Sequence, residues 1–289
     1  MSSDDARYRT TPSGRWLLEV DGIAVEVDPG KGGRATAIML DGIDVLASRS
    51  ADPAEYGMYP MAPWAGRLRG NRITHRGAEV HLPANYGPWA LHGTILDRAM
   101  DVTDVQQAPQ QGNLVLSASL GSTWPWPGIC TVVWEVTVGQ MSTTIEVSST
   151  SAEFPAVVGW HPWFRRHLPV GGPVQVDLPA DQRLVCGSDH LPTGESVPAK
   201  MTDGPFDDAF RVPTGTATVT WPGWKQIEII NSHSWFVLFD ELPEAVCVEP
   251  QSGPPDGVNG SPVAEIDLVT PQAPLRMQTT WRISPAPQH

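Results

Sequence analysis

Two stretches, Asn113–Leu120 (N-L-V-L-S-A-S-L) and Thr131–Val138 (T-V-V-W-E-V-T-V), alternate apolar and polar residues with a period of two. Each presents one apolar face, as a half-buried β-strand requires and an α-helix does not. The same alternation returns at 143–147, 174–178, 217–221, 226–230 and 264–269, each run short and bounded by Gly, Pro, Asn or Asp. Upstream, residues 16–47 read as a four-stranded meander broken at Asp21-Gly22, Asp28-Pro29-Gly30 and Asp41-Gly42. With 27 glycines and 29 prolines the chain is punctuated too often for long helices, and no helical stripe is present. An all-β protein follows, built as a large antiparallel sandwich or barrel.

The 289 residues carry no linker-like segment and no fixed-period repeat, so a single domain over residues 1–289 is expected, with the first twelve or so residues as a loose tail. Hydrophobic residues at 40% suffice for a core. Against 19 basic side chains stand 32 acidic ones, a formal charge of −13. That balance speaks against nucleic acid and anionic membrane surfaces, both of which select clustered Lys and Arg, and suits a neutral ligand. Cys130, Cys186 and Cys247 are an odd, dispersed set without a CxxC pair, which offers neither a disulfide framework nor a zinc site. The polar first fifteen residues contain no apolar signal core, and no run approaches the length of a bilayer span. A cytoplasmic location is the expectation.

Four islands carry residues that a sandwich does not need. Met61–Arg69 (M-A-P-W-A-G-R-L-R) begins a cluster of three arginines, Arg67, Arg69 and Arg72; one guanidinium could donate to sugar oxygens, or all three could simply be solvated. Leu91-His92-Gly93 places a glycine where the backbone can approach closely or take positive φ. Gly159–Phe164 (G-W-H-P-W-F) sets His161 among three large rings; it reads either as a core histidine or as a proton donor beside stacking faces. Val246–Gln251 (V-C-V-E-P-Q) delivers Glu249 at the end of an apolar strand that Pro250 is expected to stop. Desolvation there would raise the carboxyl toward the range of a useful base. The set contains one base, two imidazoles and a fixed cation. GxGxxG, GxxxxGK[ST], GxSxG and HExxH are absent, so nucleotide, esterase and zinc-protease readings lack support.

In order and approximate spacing these islands, with Phe206-Asp207-Asp208-Ala209-Phe210 as a shorter fifth, resemble the aldose 1-epimerase (galactose mutarotase) family from the N-terminal meander to Asn259. The strongest pieces are P-W-A-G-R-L-R at 63–69, L-H-G at 91–93, G-W-H-P-W-F at 159–164 and E-P-Q-S-G-P-P-D-G-V-N at 249–259. The resemblance implies a galactose mutarotase-like β-supersandwich with a shallow cleft, and interconversion of the α and β anomers of a free aldose. It implies Glu249 as the base on the C1 hydroxyl, His161 as the acid on the ring oxygen, and His92 as a second candidate acid. It implies Arg67 and Asp207 as holders of sugar oxygens. Trp64, Trp163 and Gln251 complete the candidate substrate-binding set. Acid and base are expected to face each other across a hexose-sized gap, with activity lost at acid pH as Glu249 protonates. No cofactor and no metal are expected, and a monosaccharide is the expected partner; the sugar and the oligomeric state stay open. Departures from the family are Gly66 where an asparagine is common, Trp163 where tyrosine is usual, and Thr94–Arg98 after the His-Gly pair.

Three other readings compete. A hexose-6-phosphate 1-epimerase would use Arg165 and Arg166, helped by Arg69 and Arg72, at the phosphate. A carbohydrate-binding protein without catalysis would use the tryptophans and Arg67. A glycosidase would pair Glu249 with Asp207.

Overall fold

The computed structural model describes residues 9–287, and the chain is nearly all β. Residues 1–8 of the expected loose tail lie outside the described residues, while Arg9–Thr10 pairs with Trp16–Leu17 at one edge. Two large antiparallel sheets dominate. The first continues the meander (Trp16–Val20, Ile23–Asp28, Arg34–Leu40) into Met58–Met61, Gly159–Arg165, Ala245–Gln251, Trp235–Phe239, Asp207–Arg211, Gln182–Cys186 and Pro192–Pro198. The second runs Gln175–Asp177, Thr216–Trp221, Lys225–Asn231, Leu275–Pro285, Gln140–Ser149, Gly128–Thr137, Gln111–Ser119 and Asp101–Ala108.

Alternation along these strands fills the space between the sheets. From the first sheet Trp160 meets Trp134 of the second, centroids 4.8 Å apart, and Phe164 meets Trp281 at 5.1 Å and Trp221 at 6.1 Å. All five rings are fully buried. Trp134 and Trp221 also donate their indole N–H groups to the carbonyls of Gly33 and Arg165, so burying them strands no donor.

The expected strands at 16–47, 113–120, 131–138, 143–147, 174–178, 217–221 and 226–230 are present with small changes of boundary. Two expectations fail. At 264–269 only Leu268–Val269 is strand; Ala264 instead packs as a loop residue, with Val263, against Leu184, Ala209, Trp235 and Val237. Pro250 does not end its strand either. The ladder with Trp235–Phe239 runs through it to Gln251, because the missing N–H falls on the side facing Gly159–Arg165, where the pairing is already interrupted.

Among the described residues one arginine, Arg34, is wholly interior. The Arg34 guanidinium donates to the carbonyls of Lys31 (3.0 Å), Pro53 (2.7 Å), Tyr56 (3.1 Å) and Leu96 (2.7 Å), and lies 4.2 Å from the Tyr56 ring centroid and 5.0 Å from that of Tyr59. It joins the N-terminal meander to two connecting segments without a carboxylate partner among the described residues. Arg34→Met removes the donor shared by four carbonyls and should lower the unfolding free energy by about 3 kcal/mol. Urea denaturation checks this, and a loss below about 1 kcal/mol would show that the carbonyls find other partners.

Candidate active site

The cleft opens on the face of the first sheet turned away from its sister sheet, and strand register builds it. His161 pairs across from Tyr59. Between Gly159–Arg165 and Ala245–Gln251 the ladder is made at Gly159↔Gln251 and again from Trp163↔Cys247, and is open between. The open stretch contains Pro162 and Pro250, neither of which has an N–H to give. The flanking register sets His161 opposite Glu249, and Glu249 in turn pairs with Val237, and Val237 with Ala209. One row across five strands therefore reads Tyr59, His161, Glu249, Val237, Ala209. The next reads Trp163, Cys247, Phe239, Asp207. A Cβ on Gly159 would stand 2.8 Å from both Gln251 Cγ and Met61 Cε, so the close approach of these strands depends on glycine there.

His161 Nε2 lies 3.1 Å from Glu249 Oε1, with the two side chains only 8% and 4% exposed. The expected hexose-sized gap is thus a direct contact within proton-transfer distance. Burial pushes Glu249 well above the ordinary carboxylate range, with Asp207 nearby adding to the rise, and it lowers His161 to about 3. Both shifts favour uncharged forms, so the dry pair holds one proton between carboxyl and imidazole. The Glu249 carboxylate also accepts from Gln251 Nε2 at 3.2 Å, which leaves the Gln251 Oε1, buried and without a protein donor, as an acceptor.

Two rings, rather than a hydrogen bond at the far nitrogen, hold the imidazole of His161. Tyr59 stacks on it at 4.8 Å and 20°, and Trp163 at 5.2 Å and 28°, while Nδ1 has no partner. Tyr59 Oη donates to the Ala54 carbonyl at 2.9 Å and Trp163 Nε1 to the same oxygen at 3.1 Å, which ties the two clamping rings to one point. Tyr59 escaped sequence reading because its strand, Met58–Met61, is a four-residue apolar run with no chemical signature.

His92 and Gly93 both take positive φ, +57° and +84°. A Cβ on Gly93 would fall 1.9 Å from the Ala62 carbonyl oxygen, so close approach and left-handed backbone are both required. The turn brings His92 Nδ1 to the N–H of Gly66, which it accepts at 3.2 Å; the proton of this neutral ring therefore sits on Nε2. Gly66 itself has φ +73°, and a Cβ there would stand 2.9 Å from Pro255 Cβ, so glycine relieves both the left-handed backbone and the approach of Pro255. Beside it, Arg67 Nη1 meets Asp207 Oδ2 at 3.2 Å, and His190 Nδ1 reaches the same oxygen at 3.2 Å.

Arg67, His92, His161, Trp163, Asp207, Glu249 and Gln251 all line the cleft. Trp64 does not. It is buried against Trp124, centroids 5.9 Å apart, away from the cleft. The three rings around His161 also divide: alternation sends Trp160 and Phe164 between the sheets and leaves only Trp163 at the cleft, where His161 and, 5.6 Å away, the Arg49 guanidinium already engage it. Sequence reading also missed Arg49 and His190, ordinary loop residues until the fold brings them to the wall.

Residues 31–256 match the sequence model of the aldose 1-epimerase family. The chain belongs to that family. No curated protein sequence matches it. Among solved structures, a galactose mutarotase-like protein from Clostridium acetobutylicum is 15% identical, with a TM-score of 0.84 over 97% of this chain and 98% of that one. A galactose 1-epimerase from Lactobacillus acidophilus is 15% identical, with a TM-score of 0.77 over 97% and 98%. An aldose epimerase homologue from C. elegans is 15% identical, with a TM-score of 0.75 over 95% and 99%. These similarities make the architecture of this family member galactose mutarotase-like. Among its described residues no helix is long and apolar enough to cross a membrane.

Burial also lowers His92 well below the 6.5 of a free imidazole. The folded chain therefore refuses a proton that the unfolded chain accepts, and stability falls as pH drops through about 6.5. In His92→Gln the slope of unfolding free energy just below that pH should shrink by up to about 1.4 kcal/mol per pH unit. Urea melts of both proteins at about pH 5 and pH 7 test this; parallel profiles would contradict it.

Proposed function

We propose that this family member interconverts the α and β anomers of a free, neutral aldose, with the His161–Glu249 pair moving both protons. The observation that carries the reading is the 3.1 Å contact between an acid and a base whose side chains are almost wholly buried at the cleft. The hydroxyl and ring oxygens that must exchange protons hang on one carbon, so a neighbouring acid and base suit them better than widely separated ones would.

In the ring-opening step the C1 hydroxyl loses its proton to whichever partner lacks one, and the ring oxygen gains the proton that the other holds. The C1–O5 bond breaks as the C1–O1 carbonyl forms. The pair ends with one proton, now on the opposite partner, so rotation about C1–C2 and reclosure in reverse restore it with no outside proton source. A positioned acid and base of this kind each contribute about 10²–10⁴-fold. In this reading His92 Nε2–H and the Arg67 guanidinium donate to sugar oxygens, while Asp207 and Gln251 Oε1 accept from hydroxyls. Positioning and proton transfer suffice for this chemistry.

A neutral rather than phosphorylated sugar is supported by where the cations go. Arg165 donates to the Leu46 carbonyl at 2.5 Å and pairs with Asp44, and Arg166 donates to the carbonyls of Asp240, Leu242 and Ala245. Both cap strand ends away from the cleft. Arg69 pairs with Asp189 and Asp256, and Arg72 with Glu79. The two arginines of the cleft, Arg49 and Arg67, are each matched by carboxylates. No convergent set of free donors awaits a phosphate among the described residues.

Polarimetry of freshly dissolved α-galactose, α-glucose and glucose 6-phosphate should show accelerated mutarotation of at least one neutral sugar and little effect on the phosphate; the opposite order would overturn the assignment. Glu249→Gln and His161→Asn should each lower kcat by about 10²–10⁴ with smaller changes in KM. If either variant keeps the wild-type rate while still binding sugar, a non-catalytic binding protein is the better description. The acid limb expected from the sequence moves as well. Activity ends when the pair takes a second proton on the imidazole, which burial has lowered to about 3, so kcat/KM should vary little between about pH 5 and pH 7. A half-maximal rate near the ordinary imidazole value would mean that the pair is wet.

A further inference from the structure

The alternation that aims Glu249 at His161 brings a third donor to the pair. Cys247 lies two residues earlier on the same face of Ala245–Gln251 and pairs across from Trp163, itself two residues beyond His161. One ligand atom from each of His161, Cys247 and Glu249 lies within 4.8 Å of the others, and all three residues are buried. Imidazole nitrogen, thiolate sulfur and carboxylate oxygen form a donor set for zinc, and three protein ligands with an open fourth position are the pattern of a zinc site that still meets solutes. We propose that the acid–base pair of the cleft is also a reversible inhibitory site for Zn²⁺ and other thiophilic divalent ions, held by His161 Nε2, Cys247 Sγ and one oxygen of Glu249.

The geometry is close to what the ion needs. Bonds of about 2.0–2.3 Å in a tetrahedron set neighbouring ligand atoms roughly 3.5 Å apart, so the 3.1 Å imidazole–carboxylate contact must open slightly and the thiol close by about 1 Å. Charge balance favours the exchange. Before binding, the pair with its single proton and the Cys247 thiol are together neutral. Binding expels two protons, the shared one and the thiol proton, and leaves Zn²⁺ with one carboxylate, one thiolate and a neutral imidazole, again neutral. A buried site that stays uncharged avoids the desolvation cost of an isolated ion. Entry is through the cleft, where His161 and Glu249 form part of the wall. Ions that prefer all-oxygen shells, such as Mg²⁺ and Ca²⁺, gain little from this set.

Binding rests on these residues alone; inhibition also rests on the epimerase reading above, and two readouts separate them. Co²⁺ added to the chelator-treated full chain should give a near-ultraviolet thiolate-to-cobalt band and tetrahedral-type visible absorption, both displaced by Zn²⁺. The band should vanish in Cys247→Ala and in the nearly isosteric Cys247→Ser, and persist in Cys186→Ala, whose thiol also reaches the cleft wall. In polarimetry, Zn²⁺ should abolish catalysis and a chelator restore it. The Cys247 variants should keep their basal rate and need at least about tenfold more Zn²⁺ for the same inhibition. Absence of a thiolate band in the wild type, or its loss in Cys186→Ala but not in the Cys247 variants, overturns the site. A band in a chain that turns over no sugar upholds the site and removes the epimerase reading instead.

Discussion

Everything at this site depends on an interruption in a β-ladder. Where Gly159–Arg165 runs beside Ala245–Gln251, Pro162 and Pro250 withhold the N–H groups that would close the pairing. The flanking register, intact on both sides, still holds the strands side by side and sets His161 against Glu249. A sheet interior is an unusual place for two titratable groups, because their charged forms lose the solvation of water. The fold resolves this by pairing them, so that one proton serves both and neither needs to carry a lasting charge.

The surroundings extend the same economy of charge. Arg67 is matched to Asp207, Arg49 to Glu55 and Glu244, and the interior cation Arg34 to four carbonyls and two tyrosine rings. The chain of contacts from Arg34 through the Tyr59 ring to the His161 imidazole and on to Trp163 gives the acid–base pair a rigid flank. Stacking fixes the plane of the imidazole without committing Nδ1, so either protonation state can be held in the same place.

Much of this could be read from the chain before folding. Alternation marked many of the strands because a half-buried sheet imposes a period of two; it misled at Ala264, where packing replaced pairing, and it left unmarked strands such as Asp101–Ala108 and Trp235–Phe239. His161 and Glu249 stood out because titratable groups in apolar settings need a reason to be there, while His92 gained its place through the family resemblance. Arg67, Asp207 and Gln251 line the cleft, whereas Trp64 does not, and the rings at 160 and 164 went to the core. Aromatic density in a sequence does not say which face a ring will take until the strand phase is known. Tyr59, Arg49 and His190 carried no local sign at all, since their roles come from neighbours far along the chain.

Local chemistry is written in the order of residues: strand period, turn glycines, the prolines that break a ladder and the presence of one acid near apolar neighbours. Distance is not. That His161 and Glu249, 88 positions apart, touch rather than straddle a sugar was decided by antiparallel register in the middle of the sheet, which is set by the whole array of strands at once. The proton they share follows from the burial that register creates, and no segment of the sequence determines burial alone.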